Sequence, residues 1–303
     1  MKDKIAIIGA GPAGIAAAVQ LKRYGIDALL FEEDQPGGLL RNAHFVENYP
    51  GFPGGISGPQ LVMRLREHLE SAGVDVIHKT VETLAYEEGE ERFFLSASGV
   101  VFGPRIVVNA SGTRPRLLDL ALTLTHELHK NIFYEVYPIT GEKEKTVLIL
   151  GAGDAAFDYA LNLASANDVI IVNRGDGVKA LPLLKQRAAA VPRIRYLENT
   201  TVSNIAVGKE KALLVSLVSS GVSGYSGEIE TDYLLCALGR EPRIDFYDSR
   251  LLAIKEELKR LGVFYEVGDV VNGIFRQAAI AAGDGVRAAM KLAMKVQGSE
   301  GFF

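Results

Sequence analysis

The sequence predicts an α/β fold built from two Rossmann-like, three-layer nucleotide-binding domains, with the second inserted into the first. Two glycine-rich turns support this, since each directly follows a short apolar strand and opens a small-residue helix. Each module then continues into strand-like sequence that ends in another small-residue turn, at 109–112 and 236–239. The rest of the chain is too short for a third domain, so its last helix is expected to return to the first domain.

The expected domains are therefore 1–114 with 243–303, and 115–242. Pro115 and Pro242 mark the two connections.

Composition and charge narrow the class of protein. The chain has 303 residues, about twice the usual size of a domain. Its formal charge of -4, without a lysine or arginine run, argues against a nucleic-acid partner. The apolar run at 5–19 is broken by glycines and a proline and is shorter than the roughly 20 residues of a membrane span. We expect a cytoplasmic protein without a membrane segment.

The first glycine turn, GAGPAG, predicts a dinucleotide site. Its first glycine makes the tight turn, the second lets backbone amides approach a pyrophosphate, and the third lets the helix pack on the strand. The helix N-terminus faces the anion with free N–H groups. An acid at the end of the next strand can accept hydrogen bonds from ribose hydroxyls. The alternative is a tight turn without a ligand. The candidate residues are Gly9, Gly11, Pro12, Ala13, Gly14, Glu32 and Glu33.

The second turn has the form GxGxxA and predicts a nicotinamide dinucleotide. Its following strand ends in Asn173 and Arg174, where an NAD site would place a carboxylate. Because Arg174 and Lys179 could attract a 2'-phosphate, NADPH is favoured over NADH. The alternative of two solvated surface cations stays open. The candidate residues are Gly151, Gly153, Asp154, Ala155, Ala156, Asn173, Arg174 and Lys179.

With these motifs, the sequence resembles the thioredoxin reductase family of two-domain flavoproteins, the class II pyridine nucleotide-disulfide oxidoreductases. The resemblance covers most of the chain and rests on GAGPAG at 9–14, PGG at 36–38, VENYPGFP at 46–53, NASGTRPR at 109–116, GAGDAA at 151–156, ALGREP at 237–242 and GDVVNGIFRQAAIAAG at 268–283. It implies FAD in the first domain, NAD(P)H in the inserted one, and a homodimer.

The same resemblance implies further cofactor contacts. It places Asn48 along the flavin, Asp269 on the ribityl chain, and Arg276 at the start of a helix that faces the flavin's pyrimidine end. A helix N-terminus there would stabilise the charge of reduced flavin. Asn48 could instead cap a turn, and Arg276 could be solvated. The full set of implied residues is Gly37, Gly38, Leu39, Leu40, Asn48, Ala110, Ser111, Gly112, Gly268, Asp269, Arg276, Gln277 and Ala278.

The chain departs from the family at the redox dithiol. Tyr134 and Tyr137 stand where these reductases carry CxxC, and Leu39 replaces a family glutamine. Thiol–disulfide exchange needs an attacking thiolate and a resolving thiol, but Cys236 is the only cysteine. Reduction of thioredoxin through a family-type dithiol is therefore excluded. Cys236 is expected to be a small buried strand residue.

Three other features are ambiguous. His126, Glu127 and His129 lie at helical spacing, but without further ligands we expect a polar surface helix and no metal. Phe302 and Phe303 could shield a flavin or belong to a frayed tail. Glu266 stands where relatives carry small residues, and the sequence offers no reason for it.

Two functions remain. In the first, NAD(P)H gives a hydride to flavin N5, and the electrons pass to ferredoxin or flavodoxin, a quinone, a small molecule or dioxygen. No catalytic side chain is expected, because the flavin carries the chemistry. In the second, the protein is a non-catalytic or regulatory FAD-binding protein whose NAD(P)H site is degenerate.

Overall fold

The computed structural model describes residues 5–118 and 126–298; Phe302 and Phe303 lie outside them. The chain begins with β1 (Ile5–Ile8), α1 (Pro12–Arg23), β2 (Leu29–Glu32), α2 (Gly58–Ser71), β3 (Val76–His78), β4 (Val81–Glu87), β5 (Arg92–Ala97), β6 (Val100–Phe102), β7 (Ile106–Asn109) and β8 (Thr113–Pro115). It continues with α3 (His126–His129), β9 (Ile132–Phe133), β10 (Thr146–Leu150), α4 (Asp154–Leu163), β11 (Asp168–Val172), α5 (Pro182–Ala189), β12 (Ile194–Leu197), β13 (Thr200–Val207), β14 (Leu213–Ser219), β15 (Gly227–Thr231) and β16 (Tyr233–Cys236). It ends with β17 (Arg240–Pro242), α6 (Ser249–Arg260), β18 (Phe264–Glu266) and α7 (Ala278–Gln297).

The chain forms two compact units. Among the described residues, the discontinuous unit comprises 5–41, 46–114 and 241–298, and the inserted unit comprises 42–45, 115–118 and 126–240. The two connecting strands, β8 and β17, pair with each other in a small sheet.

The discontinuous unit is a three-layer structure around a parallel sheet of order β18-β7-β1-β2-β3. Side chains alternate along β1, because successive residues of a strand point to opposite faces. Ile5 and Ile7 belong to the core on the side of α1 and α7. Ala6 and Ile8 belong to the core on the side of α6 and the antiparallel sheet β4-β5-β6.

The inserted unit repeats this plan. Its parallel sheet has the order β12-β11-β10-β16-β9. Val147 and Ile149 of β10 pack with α4, while Leu148 and Leu150 pack with the antiparallel sheet β13-β14-β15. The predicted α/β fold of two Rossmann-like, three-layer units, with the second inserted into the first, is confirmed.

Within residues 5–118 and 126–298, no helix is both long enough and apolar enough to cross a bilayer.

The helices α1 and α7 approach so closely that a Cβ at Gly285 would lie 2.0 Å from the Ala13 carbonyl oxygen. By contrast, a Cβ at Gly283, also in α7, would meet no atom within 4 Å.

This contrast gives a matched pair of variants. Gly285→Ala should lower the free energy of unfolding by about 1–3 kcal/mol, because the helices must separate. Gly283→Ala should be neutral or raise it by up to about 1 kcal/mol, because alanine favours the helix. Chemical denaturation of both variants measures the difference. Equal effects would show that the helix contact is not close in solution.

Candidate dinucleotide and flavin sites

The first glycine turn joins β1 to α1 at the carboxyl edge of the parallel sheet. Gly9 donates its N–H to the Phe31 carbonyl at 2.8 Å, and a Cβ on Gly9 would lie 2.5 Å from the Ala110 oxygen. A Cβ on Gly14 would lie 1.8 Å from the Gly9 oxygen. Both positions therefore require glycine for packing within the protein.

Gly11 is different, because protein packing does not explain it. It is the N-cap of α1, with a φ of -75° that any residue adopts. A Cβ there would meet no atom within 4 Å. The open space lies at a helix N-terminus, where free N–H groups and the helix dipole favour a phosphate. These residues therefore fit a dinucleotide in a space that a larger side chain would fill.

The two acids after β2 have different partners. Glu32 accepts the Ala10 N–H at 2.7 Å and the Asp34 N–H at 3.2 Å, so its carboxylate closes the glycine turn. The Glu33 carboxylate pairs in a bidentate manner with Arg243, with one contact of 2.6 Å between Oε2 and Nη2. The hydrogen bond to Glu33 raises the pKa of Arg243, although burial opposes this shift.

Other predicted residues surround the first turn. Gly37 donates its N–H to the Ala10 carbonyl at 2.7 Å. A Cβ on Gly38 would lie 3.2 Å from the Gly11 Cα, and one on Gly268 would lie 2.9 Å from the Ala13 Cβ. These contacts bring the segments at 37–38 and 268–269 against the turn. Leu39 and Leu40 follow in a 3₁₀ helix, Asp269 lies in another, and Ala110, Ser111 and Gly112 form the turn after β7.

Asn48 and Gln277 are also brought together, although 229 positions separate them. The Asn48 side-chain amide donates to the Gln277 Oε1 atom at 2.8 Å. Gln277 is the N-cap of α7, which starts at Ala278, and Arg276 precedes it. The predicted contacts before and at the start of α7 thus lie near Asn48.

The second glycine turn is built like the first. Gly151 donates its N–H to the Val172 carbonyl at 2.9 Å, and a Cβ there would lie 2.3 Å from the Ala237 oxygen. Gly153, the N-cap of α4, has open space where a Cβ would stand. In the first turn of α4, Asp154 and Ala155 are exposed, and Ala156 is buried.

In the inserted unit, the segment that contains Arg174 and Lys179 lies beside this turn. Lys179 donates its N–H to the Ala152 carbonyl at 3.1 Å, and Asp154 accepts the Leu181 N–H at 2.7 Å. The side chains of Arg174 and Lys179 are exposed. Asn173 is only 8% exposed, and its amide donates inward to the Tyr196 hydroxyl at 2.9 Å. Asn173 therefore shapes the loop from inside the unit.

Tyr134 and Tyr137 are the residues at which the sequence resemblance places the family dithiol. The Tyr134 hydroxyl accepts the Leu118 N–H at 3.2 Å, and burial raises the pKa of Tyr134. Tyr137 is 45% exposed, and its N–H donates to the Asn42 Oδ1 atom at 3.0 Å. Between the tyrosines, Glu135 pairs with Arg240.

Cys236 ends β16 and is 2% exposed, which confirms the prediction of a buried strand residue. Burial raises the pKa of its thiol to about 12, so the nucleophilic thiolate is scarce at neutral pH.

In the part of the chain that the structure describes, no cluster of three or more His, Cys, Asp or Glu residues could hold a metal. The side chain of His126 lies outside the described residues.

The sequence did not reveal every residue of the first site. Asn109 is fully buried beside the predicted turn, and its side chain contacts Tyr247. Tyr247 in turn contacts Glu266. Asn109 is the first residue of the predicted small-residue turn at 109–112, which was a usable signal. Tyr247 lies outside every recognised motif, so only the fold reveals its contact with Asn109.

Comparisons with known proteins agree with this geometry. The profile of the family described as "Pyridine nucleotide-disulphide oxidoreductase" matches residues 3–285. The chain is 30% identical to a thioredoxin reductase of Streptomyces clavuligerus, over 94% of this chain and 91% of the relative. It is also 30% identical to the thioredoxin reductase of Bacillus subtilis (strain 168), over 95% and 93% of the two chains.

Solved structures show the same fold. Lactococcus lactis thioredoxin reductase in the FR conformation is similar with a TM-score of 0.83 and 27% identity, over 96% of this chain and 98% of that one. Bacillithiol disulfide reductase of Staphylococcus aureus has a TM-score of 0.74 over 96% and 98% of the two chains. Its identity of 19% makes this a likeness of fold alone.

Proposed function

Because this chain belongs to the pyridine nucleotide-disulphide oxidoreductase family, we propose that it oxidises NADPH or NADH at a bound FAD and passes the electrons on without an intramolecular dithiol. FAD and a pyridine nucleotide are its cofactors. We assign FAD to the discontinuous unit and the pyridine nucleotide to the inserted unit. FAD supplies a hydride acceptor at N5 and can release electrons to a second substrate.

The observation that carries the proposal is the single buried cysteine. A dithiol relay needs one thiolate to attack a disulfide and a second thiol to resolve the mixed disulfide. Cys236 is the only cysteine, is 2% exposed, and has a strongly raised pKa. Neither Tyr134 nor Tyr137 can replace a thiol in this exchange. The acceptor therefore takes electrons from the flavin itself.

The protein groups bind and orient the two dinucleotides. The free N–H groups at the start of α1, next to Gly11, hold the FAD pyrophosphate. Glu32, already bound to the Ala10 N–H, offers its remaining lone pairs to a ribose hydroxyl. In the inserted unit, the N-terminus of α4 next to Gly153 holds the second pyrophosphate.

The proposed acceptor is a redox protein such as ferredoxin or flavodoxin, a quinone, another small molecule or dioxygen. We also propose that the protein acts as a homodimer. Among the similar proteins, the thioredoxin reductases are named for thioredoxin and the bacillithiol disulfide reductase for a disulfide. For this chain, such a substrate would have to react directly at the flavin.

Anaerobic mixing of the purified yellow protein with NADPH or NADH tests the proposal. We expect rapid loss of the flavin band near about 450 nm. Gly153→Val is the matched control, because its side chain fills only the open space at the second turn. This variant should keep FAD and bleach with dithionite, but not with NADPH or NADH. If the wild-type flavin bleaches with dithionite but with neither nucleotide, the protein is a non-catalytic or regulatory flavoprotein.

The nucleotide preference gives a second prediction. Arg174→Ala should weaken NADPH binding by about 1–3 kcal/mol and leave NADH binding nearly unchanged, because a guanidinium bonds the 2'-phosphate. Lys185→Ala removes another exposed cation, on α5, and should change neither affinity. Titration of both dinucleotides measures the effect. An equal loss for NADPH and NADH would refute the role of Arg174.

A further inference from the structure

The Glu266 carboxylate is buried at the end of β18. Its side chain is 5% exposed, and its Oε2 atom lies 2.5 Å from the Lys259 Nζ and 3.5 Å from the Lys255 Nζ. Both lysines lie on α6, one turn apart. An apolar residue would often pack in such a place at no loss of stability, since a buried ion pair loses hydration. Stability alone therefore does not explain why a carboxylate occupies position 266.

The other carboxylate oxygen begins a chain of hydrogen bonds. The Tyr247 hydroxyl donates to the Glu266 Oε1 atom at 3.0 Å and accepts from the Asn109 Nδ2 atom. The Asn109 Oδ1 atom accepts the Ser111 N–H at 3.0 Å. Tyr247 is 6% exposed and Asn109 is fully buried, so water does not compete for these bonds. Burial and then the Glu266 charge raise the pKa of Tyr247, so its hydroxyl stays a donor.

This chain of bonds ends at the first glycine turn. Asn109 pairs with Glu266 across the adjacent strands β7 and β18. The next residue, Ala110, has its carbonyl oxygen where a Cβ on Gly9 would lie only 2.5 Å away. Ser111 is also fixed from its side chain, because its hydroxyl donates to the Arg243 carbonyl at 2.7 Å. The backbone at 109–111 therefore lies directly against the first glycine turn.

We propose that Glu266 is a positioning residue for FAD, which acts through Tyr247 and Asn109 to fix the 109–111 backbone against the first glycine turn. The inference rests on the proposed placement of FAD in the discontinuous unit. Without the hydrogen bonds from Glu266 through Tyr247 to Asn109, the backbone at 109–111 can adopt other conformations. FAD binding must then order this backbone again. FAD affinity falls, while the sheet and α6 keep the fold.

The first test compares two conservative changes. Tyr247→Phe removes the linking hydroxyl. Tyr86→Phe makes the same change at another tyrosine of the same core, 8% exposed and packed on Phe93. FAD released on dilution of the holoenzyme is measured by its fluorescence. Tyr247→Phe should raise the Kd about tenfold, because it removes the hydroxyl that joins Glu266 to Asn109, and Tyr86→Phe should change it less than about twofold. Equal effects would overturn the proposal.

The second test separates positioning from stability. Glu266→Gln keeps an oxygen for the Tyr247 hydroxyl and should keep the Kd within about threefold. Glu266→Leu removes the acceptor and should raise the Kd about tenfold, even if its thermal stability equals the wild type. A Kd that simply follows thermal stability in all these variants would overturn the proposal.

A separate control identifies a failure of the FAD placement itself. Gly11→Val fills the open space at the start of α1, so it should yield folded protein without FAD. Normal FAD content in this variant would show that the dinucleotide lies elsewhere, and the inferred role of Glu266 would fall with it. Loss of FAD in Gly11→Val with an unchanged Kd in Tyr247→Phe would refute the link alone.

Discussion

Close backbone packing at the two glycine turns is the constraint on which both sites depend. At Gly9 and at Gly151, a side chain would collide with the carbonyl of Ala110 or Ala237, which directly follows the neighbouring strand. Glycine lets the chain turn directly from a parallel strand into a helix. The N-termini of α1 and α4 therefore lie at the carboxyl edge of their sheets, with open space in front of them. That space is where a phosphate group can meet free backbone N–H groups.

Local patterns were sufficient to predict the framework. The order of apolar strand, glycine turn, small-residue helix and second strand was visible twice and is found as β1-α1-β2 and β10-α4-β11. The returning helix was predicted and is α7, which packs on α1. The family follows from the same motifs, and the profile match and the relatives confirm it.

Contacts between distant parts of the chain could not be predicted from residue type alone. Asn173 was expected to face a nucleotide, yet its amide turns inward to Tyr196. Glu266 had no explanation until the fold placed it beside Tyr247 and Lys259. In each case the sequence specifies the donor or acceptor, but its partner lies on a strand or helix that only the folded chain brings near.

The flavin site and the absence of a cysteine pair together define the chemistry. Membership of the family implies FAD and a pyridine nucleotide as cofactors. Cys236, by contrast, is a single buried thiol. An anaerobic reductive titration that counts electrons per FAD tests this most directly. We expect complete reduction at one two-electron equivalent per FAD, because a single thiol cannot form an intramolecular disulfide. Uptake of two such equivalents, as a flavin and a dithiol together would require, would contradict the proposed function.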